Sequence, residues 1–244
     1  MSLFTVIPLP CPSCRKPVDF EAVHSVNADR RPALAATILA ETFQEQACPH
    51  CGTRFRLDPE FNYMDRGRRL WIAAAPLAKA AHWKAEEAHA QGLFDLAYGA
   101  DAGEAAARIG KALRPRLTFG WPALREKLLC ADEALDDVSI ELCKAAVLRN
   151  SAAAPISAQT ELRLIDVQGD SFVFAWQRSS DEAVGDTLQV ARALYDEIDA
   201  DAEDDWAPLR EDLTEGLYVD LNRLMVPSVA EAPVRDFAPP PGTG

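Results

Sequence analysis

The sequence predicts an α+β protein with a β-rich ribbon around four cysteines, an inserted segment, a helical region, and a module of a β-hairpin plus a helix. Three observations lead to this class. Two Cys-Pro-x-Cys motifs lie in the first 51 residues, among stretches in which apolar and polar residues alternate. Residues 78–113 are rich in alanine and poor in β-branched residues, which favours helix. Alternation returns at residues 161–177, as in a β-hairpin.

Short local patterns predict the elements of the N-terminal part. Residues 4–10 read as a short strand that runs into the first cysteine pair, and residues 16–29 as a half-buried strand. Alternation over residues 43–58 surrounds the second pair, and residues 62–76 predict a hairpin. Residues 30–43 leave two alternatives open, a helix opened by a proline or another strand.

The helical region ends in two predicted helices. Two prolines and a glycine interrupt the alanine-rich pattern at residues 114–122, and we expect a break there. One helix begins near Pro122, which suits a first helical turn. A second begins at Asp136 or Asp137, because a carboxylate at that position can cap a helix N-terminus.

The C-terminal module combines a hairpin with helices. Residues 151–159 predict a linker, and the hairpin over 161–177 turns at Gln168-Gly169-Asp170. A helix is expected over about 184–199, and a last helical segment over about 206–225.

These patterns divide the chain into four parts. A ribbon-like, β-rich part covers residues 1–77, and the helical part of the same domain covers residues 78–150. An α+β module covers residues 158–226. The tail, residues 227–244, has five prolines and no periodic pattern, so we expect it to be disordered.

Composition restricts the class of protein and its location. With 48 % hydrophobic residues in 244, the chain can form a real core, and no run of eighteen apolar residues predicts a membrane-spanning helix. The N-terminus has neither a basic start nor a small-residue cleavage site, so we expect no signal peptide and a cytoplasmic protein. Six cysteines in such a protein favour metal binding over disulfides.

The net charge of −13 is unevenly distributed. Residues 1–80 carry a net charge of +2, from 10 basic and 8 acidic residues, and residues 81–244 carry −15, from 15 and 30. An acidic run at Asp196–Asp205 indicates a solvated surface or one that faces a partner. This balance disfavours nucleic acid, whose phosphates bind lysine and arginine, and the expected partner is another protein. The oligomeric state stays open.

One basic segment keeps a nucleic-acid alternative open. Five arginines lie close together in the sequence of the β-rich part, and the simpler interpretation is a solvated strand face. These residues are Arg54, Arg56, Arg66, Arg68 and Arg69.

The pairs Cys11/Cys14 and Cys48/Cys51 carry the clearest chemical signal. A Cys-x-x-Cys turn supplies two thiolates from one tight bend, and two such turns complete the tetrahedral site that structural zinc requires. Because 33 residues separate Cys14 from Cys48, a segment must be inserted between the turns. The sequence therefore predicts a β-rich four-cysteine zinc ribbon that binds Zn through Cys11, Cys14, Cys48 and Cys51.

The residue after each pair affects the geometry of the turn. Gly52 follows the second pair and permits the positive φ that a zinc-binding turn often needs. Arg15 stands at the equivalent place after the first pair, so it must tolerate that conformation or avoid it.

The second motif, Cys48-Pro49-His50-Cys51, has a redox alternative. The same order occurs in thioredoxin-fold disulfide oxidases, where a thiol of low pKa attacks a partner's sulfur. In those proteins the motif follows a strand and opens a helix, whereas here a strand is expected after Cys51. The zinc interpretation is therefore preferred, with His50 as an exposed spacer.

Other residues of the helical region have plain structural interpretations. We expect Cys130 and Cys143 to be buried thiols. His82 and His89 share a helix face with Glu86 between them, and without a third strong ligand we expect two exposed histidines.

A group of charged residues in the last two predicted helices of the helical region allows two interpretations. Lys127, Asp136, Asp137 and Glu141 fit helix capping and surface ion pairs, and the alternative is a binding surface.

Together these motifs resemble a known family. "CPSC" and "CPHCG" precede "FRLDPEFNYMDRGRRLWIAAAP", and "LREKLLCADEALDDVSIELCK" follows. The arrangement resembles the bacterial CpXC-domain proteins, a family named for its four cysteines, over about residues 8–150. That family is functionally uncharacterised, so the resemblance implies four metal positions and no reaction.

The leading hypothesis for function is a zinc-stabilised, non-enzymatic adaptor of a bacterial cytoplasm. It binds another protein, with the acidic C-terminal half as the candidate surface, because a full four-cysteine site leaves no open position for catalysis. The two alternatives are a nucleic-acid-binding ribbon that uses Arg54–Arg69 and a thiol oxidoreductase that uses Cys48-Pro49-His50-Cys51.

Overall fold

The computed structural model describes residues 3–150, 160–178, 181–200 and 205–229. The strands in this part are β1 Leu3–Pro10, β2 Pro17–Asn27, β3 Glu45–Ala47, β4 Arg54–Arg56, β5 Phe61–Asp65, β6 Leu70–Ala75, β7 Arg114–Phe119, β8 Thr160–Gln168, β9 Ser171–Arg178 and β10 Val184–Ala191. The α-helices are α1 Pro32–Leu39, α2 Trp83–Tyr98, α3 Glu104–Gly110, α4 Gly120–Asp132, α5 Asp137–Asn150, α6 Arg192–Ala200, α7 Ala207–Thr214 and α8 Asn222–Met225. The predicted linker at 151–159 and residues 230–244 of the predicted tail lie outside the described residues.

The fold class is α+β, as the sequence predicts. A five-stranded sheet has the order β1-β2-β5-β6-β7, in which β1–β2 and β5–β6 are antiparallel and the other two pairs are parallel. The predicted hairpin of residues 62–76 is formed by β5 and β6. Residues 30–43, for which the sequence allowed either a helix or a strand, contain the helix α1. Pro32 lies in the first turn of this helix, where a missing N–H costs nothing.

The predicted break in the helical pattern at residues 114–122 is confirmed, and its first six residues form strand β7, which the sequence did not predict. β7 pairs with β6 in parallel and lies at the edge of the five-stranded sheet. An edge position tolerates Pro115, which a central strand would exclude. The glycine of this segment, Gly120, adopts φ +74° where β7 passes directly into α4.

The C-terminal part forms a second sheet with the order β10-β9-β8. The predicted hairpin is confirmed as β8 and β9, with Leu164 paired to Phe174. The helix expected over 184–199 is wrong in its first half, since residues 184–191 pair with β9 as strand β10. The β-branched Val184, Thr187 and Val190 favour this pairing over helix.

The last helical segment is interrupted. α7 and α8 flank an irregular stretch that contains Leu217, Tyr218 and Val219, all buried. The Leu117 N–H of β7 donates a hydrogen bond of 2.8 Å to the Leu217 carbonyl. This stretch therefore runs along β7, and its backbone pairing there replaces a helical turn.

The helical region and the C-terminal module share one hydrophobic core. Ile140, Leu142 and Cys143 of α5 belong to the same buried cluster as Phe172 and Phe174 of β9. These two parts of the chain therefore pack as one body, a point that the sequence left open. Among the described residues, no helix has the length and apolar character to cross a membrane.

Candidate metal centre

Each cysteine pair lies in the turn between two antiparallel strands. Cys11 and Cys14 connect β1 to β2, and Cys48 and Cys51 connect the two strands of the small β3–β4 sheet. Short β-hairpins bring the backbone round tightly, so both cysteines of each pair point to the same side of their turn. We call these two turns the first and the second knuckle.

The two knuckles share one backbone hydrogen-bond pattern. The Cys11 N–H donates to the carbonyl of Lys16 at 2.9 Å, and the Arg15 N–H donates to the Cys11 carbonyl at 3.0 Å. In the second knuckle the Cys48 N–H donates to the Thr53 carbonyl at 2.8 Å. Gly52 completes that pattern, because its N–H donates to the Cys48 carbonyl at 2.9 Å.

The four sulfur atoms form a compact cluster. All of them lie within 4.8 Å of one another. Cys11 Sγ is 3.7 Å from Cys51 Sγ, and Cys14 Sγ is 3.8 Å from Cys48 Sγ. Four thiolates at about 2.3 Å from a tetrahedral zinc ion would be about 3.8 Å apart. The sulfur positions therefore fit a tetrahedral metal ion, with both knuckles contributing to the same site.

Hydrogen bonds near the sulfurs lower the pKa of two of the four cysteines, Cys11 and Cys51. The His50 N–H donates to Cys48 Sγ at 3.4 Å. The Thr53 side chain, 3.3 Å from Cys51 Sγ, and the Thr53 backbone N–H lower the pKa of Cys51 to about 6. A backbone hydrogen bond from Cys14 is the main cause that lowers the pKa of Cys11.

Cys14 shows why a cation is needed in this cluster. The backbone N–H of Lys16 lowers its pKa, but burial and the neighbouring sulfurs of Cys51 and Cys11 outweigh this and raise the pKa to about 11. Four thiolates packed this closely repel one another, and a bound divalent cation would remove that repulsion.

Contacts between the hairpins hold the knuckles in register. His50 Nε2 lies 3.2 Å from the carbonyl of Pro17, so the exposed spacer of the sequence prediction also bridges the hairpins. The Phe20 and Phe55 rings pack at 5.5 Å between centroids. Val18 is 2 % exposed and packs beside the sulfurs, which excludes water from one side of the cluster.

The family model that matches the chain is that of the CpXC proteins, and it covers residues 9–144. The matched region is more than half of the 244 residues and includes both knuckles. The chain belongs to the CpXC family. No curated protein and no solved structure matches it. The CpXC region ends within α5, so β8, β9, β10 and the helices after them lie beyond the family match.

Each of the five arginines of the basic segment already contacts a group of this chain. Arg56 pairs with Glu182, and its guanidinium lies 4.9 Å from the centroid of the Trp121 ring. The other contacts are Arg54 with Glu45 at 2.7 Å, Arg66 with Asp29 at 2.8 Å, Arg68 with Asp65 at 2.7 Å and with Asp132, and Arg69 Nε with the Ala112 carbonyl at 3.1 Å. These groups are committed to internal acceptors and do not form a row of unpaired cations.

The charged residues expected on the helix surface lie in the interior instead. Lys127, Asp137 and Glu141 are 3 %, 7 % and 0 % exposed. Lys127 Nζ is 3.0 Å from Asp137 Oδ2 and 3.4 Å from Glu141 Oε1. The capping half of the interpretation is confirmed at Asp136, whose carboxylate accepts a 3.1 Å hydrogen bond from the Ser139 N–H.

Four further buried residues belong to this network, and two of them, Arg163 and Asp220, lie beyond the CpXC region. Lys144 Nζ is 2.7 Å from Glu126 Oε2 and 2.9 Å from Glu141 Oε1. Arg163 Nη1 of β8 is 2.9 Å from Glu126 Oε2 and 2.6 Å from Asp220 Oδ2. Residues after the family match therefore neutralise charges that the CpXC region buries.

The pKa values of this network follow from its pairing. Burial by itself raises the pKa of Glu126, but the charges of Lys144 and Arg163 outweigh it and lower that pKa. Burial opposes ionisation of Asp220 in the same way, and Arg163 is the main cause that lowers its pKa to about 2. Burial raises the pKa of Glu141, although Lys144 opposes it.

Sequence reasoning did not single out Glu126, Lys144, Arg163 or Asp220. One signal was available, since Glu141 and Lys144 are three residues apart on a helix, a spacing at which side chains meet. Arg163 gave no signal, because it lies among apolar residues in a strand that alternates.

The remaining sequence predictions for side chains have mixed outcomes. Cys130 and Cys143 are buried as expected, at 1 % and 0 % exposed. His89 is exposed, but His82 is half-buried, and its Nδ1 lies 3.0 Å from the Val229 carbonyl. Among the described residues, the four cysteines are the one group whose ligand atoms lie close enough to hold a metal ion.

Proposed function

We propose that the protein is a zinc-stabilised, non-enzymatic protein-interaction protein of a bacterial cytoplasm. The observation that carries this proposal is the closed cluster of four sulfurs from Cys11, Cys14, Cys48 and Cys51. Bound zinc would supply structural stability, since four protein ligands fill a tetrahedron and leave no open position for a substrate. The choice of zinc rests on the all-sulfur donor set and tetrahedral spacing.

The burial of Cys48 disfavours the redox alternative, which needs this thiol as the nucleophile. Cys48 is 2 % exposed, so a partner disulfide would have little access to it. Strand β4 follows this knuckle, whereas the motif of thioredoxin-fold oxidases opens a helix. The nucleic-acid alternative lacks support as well, because the arginines that it needs are paired within the chain.

The acidic C-terminal half is the proposed interaction surface. Glu197 of α6 and Glu211 and Asp212 of α7 are exposed carboxylates on neighbouring elements. A concentration of one sign of charge attracts partners of the opposite sign and steers their approach. The partner is therefore expected to present a basic surface.

The experiment that tests this function changes charge without removing the C-terminal part. Deletion of residues 158–244 would leave Glu126 without Arg163 and would expose the shared core, so a loss of partners could mean unfolding. The triple variant E197K/E211K/D212K keeps the core intact. We expect affinity capture with quantitative mass spectrometry to lose specific partners relative to the wild type. Identical partner lists for both proteins would refute the acidic surface as the interaction site.

A further inference from the structure

The edge strand β1 has a free side. Within the described residues it pairs only with β2, and its sequence, LFTVIPLP, contains no charged residue. Leu3 and Val6 are 53 % and 62 % exposed. An uncharged edge strand with exposed apolar side chains is a template for pairing with another strand.

Contacts on the far side of β2 show which backbone groups of β1 point outward. The Val23 N–H donates a hydrogen bond of 2.8 Å to one glutamine side chain near β3. The Asp19 carbonyl accepts a hydrogen bond of 3.0 Å from another glutamine side chain there. These two groups therefore point away from β1. Their register partners, Phe4 and Pro8, form pairs without backbone hydrogen bonds to β2, and by alternation so does Val6.

The outward groups define what can bind. Phe4 and Val6 each present an N–H and a carbonyl to the open side, and Pro8 presents a carbonyl alone. A strand laid beside β1 could form about five backbone hydrogen bonds with these groups. The two prolines at positions 8 and 10 limit the pairing at the end next to the first knuckle.

Acidic side chains flank this edge. Glu21 lies opposite Val6 and Asp19 lies opposite Pro8, so their side chains share the face on which Val6 is exposed. Both carboxylates are exposed, and within the described residues no ion pair involves either of them. A second copy of this chain, paired along β1, would bring these carboxylates toward the same carboxylates of the other copy. A basic partner segment fits the edge better.

We propose that β1 is a docking edge for an extended segment of a partner protein, in which apolar residues alternate with lysine or arginine. Backbone hydrogen bonds to Phe4 and Val6 supply the affinity, and the basic side chains lie over Glu21 and Asp19. This inference rests on the proposed function, because it names the kind of partner segment that such an interaction protein would bind.

The test uses the full-length protein and a short fluorescein-labelled peptide in which valine and lysine alternate. Fluorescence anisotropy measures its dissociation constant for the wild type and for three variants. Val6→Pro removes an outward N–H without breaking the β1–β2 ladder, and Glu21→Lys reverses a flanking charge. Asp186→Lys makes the same change of charge on β10, in the other sheet, as a matched control.

The proposal predicts saturable binding of this peptide to the wild type. Val6→Pro should weaken binding by up to about tenfold, the cost of one backbone hydrogen bond. Glu21→Lys should weaken it several-fold at low salt, and Asp186→Lys much less. A peptide N-methylated at alternate amides should fail to bind to the wild type, which tests the hydrogen bonds without any change to the protein.

Three results would overturn the proposal. They are the lack of saturable binding, equal affinity of wild type and Val6→Pro, and equal affinity for a peptide with glutamate in place of lysine. Sedimentation equilibrium adds a further one, since a dimer that Val6→Pro dissociates would assign the edge to a second copy. Loss of partners in E197K/E211K/D212K would still support the proposed function if the peptide did not bind.

Discussion

Arg15 and Gly52 occupy equivalent positions in the two knuckles, and both have left-handed backbones, with φ of +62° and +74°. Only glycine adopts this region without steric cost, and other residues there cost about 1–2 kcal/mol. The first knuckle therefore keeps the geometry of the second at the expense of strain at Arg15. The shared geometry indicates that both turns are shaped for the same purpose.

Arg15→Gly should stabilise the protein by about 1 kcal/mol, because it removes this strain and the Arg15 side chain is exposed. In a chain of this size that corresponds to an increase of roughly 2–4 °C in the unfolding midpoint. Differential scanning calorimetry measures the shift. Lys16→Gly is the control at the neighbouring exposed position, and it should not stabilise. A lower unfolding midpoint for Arg15→Gly would show that the backbone of Arg15 is not strained.

Gly52→Ala tests the same conformation in the opposite direction. A Cβ added at Gly52 meets no atom within 4 Å, so the change costs only the backbone strain, about 1–2 kcal/mol. Chemical denaturation should show a lower midpoint with an unchanged slope. An unaffected midpoint would mean that the second knuckle does not require positive φ at this residue.

The knuckles were accessible to sequence reasoning because their determinants are local. The spacing within each Cys-Pro-x-Cys motif and the glycine after the second one carry the information. The sequence shows that Arg15 must either adopt a positive φ or avoid it. The structure decides between the two, because both turns have the same hydrogen-bond pattern. Strand β7 was missed because its identity depends on pairing with β6, and Pro115 and Gly120 suggest a break when read alone.

Glu126→Gln should destabilise the protein strongly. The substitution leaves the buried cations of Lys144 and Arg163 without this carboxylate, and breaking a buried pair in this way costs about 3–5 kcal/mol. Urea unfolding measures the loss. The control is Glu45→Gln, which breaks the exposed pair with Arg54 and should cost less than about 1 kcal/mol. Similar losses in both variants would show that the buried network is not energetically distinct.

Acid should weaken the protein through Asp220. Its pKa is lowered from 3.8 to about 2, so the stabilisation from its ionised form is complete above about pH 4 and is lost as the pH falls toward 2. The full difference corresponds to roughly 2 kcal/mol, of which about half is lost between pH 5 and pH 3. Urea unfolding at about pH 5 and about pH 3 measures it, and Asp220→Asn should flatten this dependence. A wild-type stability that does not change over this range would contradict the pairing.

The buried network was invisible to sequence reasoning for a physical reason. Charged residues on a helix are usually solvated, so the sequence places Lys127 and Glu141 on the surface. In the structure, residues from the C-terminal part of the chain cover them. The covering residues, Arg163 and Asp220, lie in segments that are distant in sequence, and their approach is a product of tertiary packing. The C-terminal part of the chain thus completes the CpXC region, which local patterns could not reveal.

Cysteine substitutions should separate the metal site from ordinary buried thiols. Cys48→Ser removes a proposed ligand, and we expect loss of bound zinc and a decrease of roughly 10 °C in the unfolding midpoint, because metal binding contributes folding free energy. Cys130→Ser, at a thiol that is equally buried, should keep its zinc. Elemental analysis and calorimetry measure both effects. Retention of zinc by Cys48→Ser would exclude this residue as a ligand.

The central claim is that Cys11, Cys14, Cys48 and Cys51 form one closed structural zinc site. The most direct test is the metal content per chain of protein purified without added zinc, with free thiols titrated before and after denaturation in chelator. The account predicts about one zinc per chain and six thiols that become reactive, of which Cys130 and Cys143 are released by unfolding alone and the other four only when the metal is removed. A metal-free, folded protein with a fast-reacting thiol in the second knuckle would contradict it and would revive the redox alternative.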